Sequence, residues 1–80
     1  MGNKEPASTV IKGAQYMHPE GIRYRIDSIL LNATGYESGK ELKTYILYTQ
    51  LDAGSYPVGT QWVREEKDFL NVFELAAEAE

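Results

Sequence analysis

Eleven consecutive residues, Glu41 to Leu51, run without glycine or proline and are crowded with aromatic and β-branched side chains. A run of that length and make-up fits a strand better than a helix. Successive side chains on a strand point to opposite pleats, so Leu42, Thr44, Ile46 and Tyr48 would share one face and Tyr45, Leu47 and Leu51 the other. A strand that is apolar on both faces belongs inside an architecture rather than at its rim. The expectation is a central strand in a small β-barrel or a pair of packed sheets.

The flanking sequence supplies partners for it. Ala14 to His18 reads as a short strand, closed by a turn at His18-Pro19-Glu20-Gly21 in which Pro19 pre-sets φ and Gly21 suits the last position. Along Ile22 to Ala33, Ile22, Tyr24 and Ile26 lie on one parity, but beyond Asp27-Ser28 the apolar set becomes Ile29, Leu31 and Ala33. That slip of phase marks a β-bulge or a sharp bend. Thr34 to Lys40 is a turn-rich link, which makes the second and third strands an antiparallel hairpin. Asp52 to Thr60 is the longest loop, of a length often given to function or motion. Gln61 to Arg64 reads as a fourth strand, Glu65 to Asp68 as one charged helical turn, and Asn71 to Leu75 as a closing strand. A helix from near Glu65 to the chain end is the competing reading of that last region. The expected organisation is a loose arm over residues 1–13, a β domain over 14–75, and a frayed acidic tail over 76–80.

Composition narrows the chemistry. At 80 residues the chain makes one domain with little room for a buried catalytic pocket. It has no cysteine, so disulfides, thiolate catalysis and zinc–thiolate sites are out of reach. Its net charge of −4 works against a nucleic-acid partner and fits a cytoplasmic protein, or one that meets a basic protein surface. The first dozen residues hold one hydrophobic pair, Val10-Ile11, so neither a signal peptide nor a membrane span is expected.

One group of residues resembles a known family. Tyr16, His18, Gly21 and Tyr24 keep the spacing of Tyr-Arg-His-Phe-Lys-Gly-x-x-Tyr; Ala33, Glu37, Gly39, Glu41, Leu42 and Tyr45 follow the hairpin pattern Ala-Arg-His-x-Glu-Thr-Gly-Glu-Glu-Leu-Val-Val-Tyr; and Trp62, Val63, Arg64 and Phe69 follow Trp-Val-Arg-Pro-x-x-Met-Phe. In these patterns the chain resembles the bacterial and phage domain of unknown function numbered sixteen fifty-three. It departs at Met17, Pro19 and Glu20, at Gly35 in place of histidine, and at Glu65 and Asp68, and its loop before Trp62 is longer. The resemblance implies a mainly β domain like a small SH3-like antiparallel barrel of about five strands, with a short helical turn after the fourth. It implies no reaction.

Candidate chemistry is sparse. A lone histidine excludes multi-histidine metal sites, no serine sits in a nucleophile elbow, and the glycines do not space as a phosphate loop. Glu65, Glu66 and Asp68 read as a solvated charged turn rather than a cation site, so no metal, cofactor or catalytic residue is assigned. The six tyrosines and Trp62 are the better lead, because that many phenols cannot all be buried cheaply and rings left at a surface anchor interfaces. The expected function is a non-catalytic module that binds a protein partner, or its own copy, through an aromatic surface flanked by the Asp52–Thr60 loop. The alternative is a small-ligand or nucleotide-binding protein with a pocket around His18, Trp62 and Arg64, in which Arg64 clamps an anion. The candidate binding residues are His18, Tyr24, Glu37, Tyr45, Trp62 and Arg64.

Overall fold

The computed structural model describes residues 9–79, and within them the chain is mainly β. Strands β1 (Gln15–Met17), β2 (Arg23–Leu31), β3 (Thr44–Gln50), β4 (Gln61–Glu65) and β5 (Glu74–Ala77) form one antiparallel sheet in the order β4-β3-β2-β1-β5. One short helix, α1 (Glu66–Val72), follows β4. The expected barrel is not reached, because β4 and β5 lie at opposite ends of the order and do not pair with each other. Residues 1–8 of the expected arm and residue 80 of the expected tail lie outside the described residues.

The two-faced strand is interior, between β2 and β4, while the middle position of the sheet goes to β2. Ile46 and Tyr48 point from β3 into the core, and Tyr45 and Leu47 are half-buried on the other pleat. The phase slip of β2 is a bulge: Ile26 pairs with Tyr48 and Ser28 with Leu47, leaving Asp27 unmatched. The extra residue lets Ile26 and Ile29 both face the core, Ile29 opposite Ile46. It also turns Asp27 to the other pleat, where it accepts hydrogen bonds from the Thr49 hydroxyl and, at 3.0 Å, from Arg25 Nε. Those bonds, led by Thr49, hold the Asp27 carboxyl below its ordinary value although burial pushes it up.

The helix is longer and the last strand later than the sequence implies. Phe69 and Phe73 are four residues apart, one face of a helix, and the Phe73 N–H donates to Phe69 O at 2.9 Å to close its last turn. The helix stops at Val72, so it does not run to the chain end. Ala76 and Ala77, expected in a frayed tail, belong to β5: Ala77 pairs with Gln15 of β1, and Ala76 is left unmatched where the register shifts. Near the other terminus Val10 is buried in the core, and the Gly13 N–H donates to Ile26 O at 2.8 Å.

The core is aromatic. Phe69 and Phe73 stack with centroids 4.2 Å apart. Tyr16 and Tyr48 meet Phe69 edge-on at 5.1 Å, and Tyr24 and Tyr48 meet Phe73 at 5.4 Å. Edge-to-face contacts of this kind add to the burial of the rings themselves. Three of the six tyrosines, Tyr16, Tyr24 and Tyr48, are spent on this cluster.

Candidate functional site

The Asp52–Thr60 loop is pinned, and the pin is Gln50. Its side chain is 2% exposed, at the end of β3. Gln50 Nε2 donates to the carbonyls of Asp52 at 3.0 Å and Tyr56 at 2.7 Å, and Gln50 Oε1 accepts from the Trp62 indole at 3.1 Å. Backbone bonds from Gln50 N to Thr60 O (2.8 Å) and from Gly59 N to Gln50 O (2.9 Å) close the loop's base. A buried amide that makes two bonds to the loop and one to Trp62 of β4 replaces the water the loop would otherwise need. Tyr56, carried at its tip, meets Trp62 edge-on at 4.9 Å and stays 54% exposed.

The start of the loop is held by an ion pair. Arg23 donates to Asp52 from its backbone N–H at 2.9 Å, from Nε at 3.0 Å and from Nη2 at 2.8 Å. These bonds, side chain first and backbone second, lower the Asp52 carboxyl to about 2 from 3.8. Because the folded value lies below the unfolded one, the contribution is complete above the unfolded value and fades as pH falls through the folded one. The difference in urea midpoint between the wild type and Asp52→Asn is therefore expected to hold steady above about pH 5 and to shrink toward about pH 2. A difference unchanged down to that pH would contradict the pairing.

Cross-strand register puts Tyr48 beside Trp62 and Ile46 beside Arg64, so Trp62 and Arg64 share the core face with Tyr24 and Tyr48. Four polar side chains gather around the buried ring of Phe73. His18 meets it edge-on at 5.2 Å, Tyr24 and Tyr48 at 5.4 Å, and the Arg64 guanidinium carbon lies 5.3 Å from its centroid. The guanidinium is thus held by a cation–π contact, by an ion pair from Nη1 to Asp68 Oδ2 at 3.1 Å and by a hydrogen bond to the Tyr48 hydroxyl. The His18 Nδ1 accepts from the Glu20 N–H at 3.1 Å, which leaves Nε2 as the protonated nitrogen of the neutral ring.

Burial raises both phenols. For Tyr24 the nearby Tyr48 and Glu20 reinforce it and Arg64 opposes it. For Tyr48 it is opposed by hydrogen bonding and charge from Arg64. Both therefore remain protonated donors. Every buried side-chain nitrogen and oxygen among the described residues has a partner. The Tyr24 hydroxyl has no hydrogen-bond partner among the described residues and is therefore not fully buried.

Of the candidate residues, the structure gathers His18, Tyr24, Arg64 and Trp62 on one face. Tyr45 is on the other pleat, opposite Leu30 and Glu65, and Glu37 is exposed in a 3-10 turn at Tyr36–Ser38 on the far hairpin. Tyr48 and Tyr56, part of the tyrosine set but not named as candidates, join the site, as do Gln50 and Phe73, which were not singled out at all. The i,i+4 spacing of Phe69 and Phe73, and a glutamine placed just before the longest loop, were the available signals. A hollow of about 310 Å³ opens beside His18, lined by Met17, His18, Pro19, Gly21, Val72 and Glu74. Among the described residues no group of three or more acidic or histidine side chains is arranged to hold a metal ion, and no helix is long and apolar enough to cross a membrane. No family model, curated protein or solved structure matches this chain.

Proposed function

We propose that the chain is a non-catalytic interaction module that binds an extended segment of a protein partner across Tyr56, Trp62 and Arg64. The observation that carries this reading is the Tyr56–Trp62 pair: an exposed ring held against a half-buried one by a loop whose carbonyls are tied to a buried amide. Rings of that kind anchor interfaces, and their prior immobilisation lowers the entropy cost of docking. Arg64, two residues along β4 from Trp62, adds a charge beside them. On this reading the chain is akin to the family numbered sixteen fifty-three, and its curled sheet to an SH3-like barrel left open between β4 and β5.

The alternative, a small-ligand or nucleotide pocket, draws support from the gathering of His18, Tyr24 and Arg64. The hollow beside His18 favours it less, because neither Trp62 nor Arg64 lines it.

Panning a displayed library of random peptides against the intact domain is expected to enrich a related set of binders. These should bind Tyr56→Ala at least about tenfold more weakly, the loss of one anchor of 1.4 kcal/mol or more. The melting temperature should barely change, since the ring is exposed. Failure to enrich any sequence, or equal binding by Tyr56→Ala, would contradict the proposal.

A further inference from the structure

We infer that the Arg64–Tyr24–Tyr48 corner of this face is a carboxylate site, which receives a singly charged acidic group of the partner. The inference rests on the reading that this face is the binding surface, and it adds the chemistry of what docks there.

Three features point to an oxyanion. The Arg64 guanidinium carbon lies 5.3 Å from the Phe73 ring centroid, so the position of the group is set before a ligand arrives. Its only carboxylate among the described residues is Asp68, which takes a single nitrogen at 3.1 Å. That carboxylate is itself 59% exposed, while the Arg64 side chain is 33% exposed, and the remaining guanidinium N–H groups meet no other acid. Arginine binds carboxylates best through two parallel bonds, a geometry that the Asp68 contact does not use. The two phenols stand beside it, their rings 5.2 Å apart, and both are protonated donors. One cation with two neutral O–H donors complements a carboxylate. Asp68 then acts as an internal stand-in that an incoming acid displaces or joins.

The surroundings decide between acids. Glu20 acts on Tyr24 and Asp68 on Tyr48, so the corner already carries negative charge. With Arg64 already paired to Asp68, each further negative charge adds repulsion, so a monoanion that displaces Asp68 from Arg64 is tolerated better than a phosphate dianion. On this inference the anion that the alternative reading gives to Arg64 is a carboxylate.

The test is an NMR titration of the isotope-labelled domain at constant ionic strength, with acetate, acetamide and inorganic phosphate as probes. Acetate is expected to shift the Arg64 Nε–H and the Tyr24 and Tyr48 ring signals saturably, and acetamide to leave them in place. Arg64→Gln should weaken acetate at least about tenfold, and Tyr24→Phe or Tyr48→Phe, which each delete one oxygen, several-fold. Asp68→Asn should tighten acetate several-fold, a gain that a purely structural arginine would not produce. N-acetylglycine, N-acetylglutamate amide and succinate then separate a chain terminus, a side chain and a free acid as the source, by which of them binds most tightly. Equal shifts from acetamide, tighter binding of phosphate than of acetate, or no gain in Asp68→Asn would each overturn the inference. Because Tyr56→Ala should keep the acetate response while losing selected peptides, failure of the carboxylate site and failure of the docking surface are told apart.

Discussion

Truncating Phe69 to alanine is expected to cost about 3–5 kcal/mol, most of what holds a domain of this size together. The ring is fully buried, stacks on Phe73, and takes the edges of Tyr16 and Tyr48. Its loss leaves a cavity that three flat neighbours cannot collapse to fill, so the transfer and cavity terms add. Leu70, the next residue on the same helix, is 40% exposed, and its truncation should cost less than about 1 kcal/mol. Urea denaturation of the two variants gives the comparison directly. Similar midpoints for Phe69→Ala and Leu70→Ala would mean that α1 does not dock on the sheet through this face.

Gln50→Leu is the second large effect, and it acts on the loop rather than on the sheet. Leucine fills much of the same space but leaves the carbonyls of Asp52 and Tyr56 and the indole N–H of Trp62 without their partner. Stranding partly buried polar groups in this way costs about 2–3 kcal/mol in total. Amide exchange at Gly54 and Thr60 is expected to quicken well beyond that of β2 and β3, and selected peptides to lose affinity while the sheet stays intact. Unchanged exchange in the loop would show that something other than Gln50 holds Tyr56 against Trp62.

The sheet was legible in the sequence where local pattern and final packing agree. The parity change across Asp27 identifies the bulge because a strand with one buried face must keep Ile26 and Ile29 on the same side. The double-faced run at Thr44–Gln50 identifies an interior strand for a similar reason. The segment after Trp62 was harder, since seven residues hold too few turns to separate a helical period from a strand's alternation. There the docking of Phe69 and Phe73 on the tyrosines decides, a tertiary effect that a local window does not contain. Ala76 and Ala77 carry no side-chain signal for a strand at all, and Ala77 joins the sheet through its pairing with Gln15 of β1.

The site divides along the same line. His18, Tyr24, Trp62 and Arg64 stood out as chemically distinctive types at spaced positions, and the register of β2, β3 and β4 puts them on one face. Glu37 and Tyr45 were equally distinctive but fall on the far hairpin and the opposite pleat. Gln50 and Phe73 are ordinary residues whose importance comes from what they touch, much of it distant in sequence, such as Tyr24 and His18 against Phe73. The sequence signals for them, a helical Phe spacing and a glutamine ahead of a loop, gain meaning only from the contacts the fold makes.

The most direct measurement of the docking face is the NMR footprint of a selected peptide on the domain. Perturbations are expected at Tyr56, Trp62, Arg64 and Tyr24, with Leu30, Tyr45, Leu47 and Val63 on the other pleat unmoved. A footprint centred instead on Leu30, Tyr45, Leu47 and Val63 would place recognition on the wrong side of the sheet and contradict the proposed function.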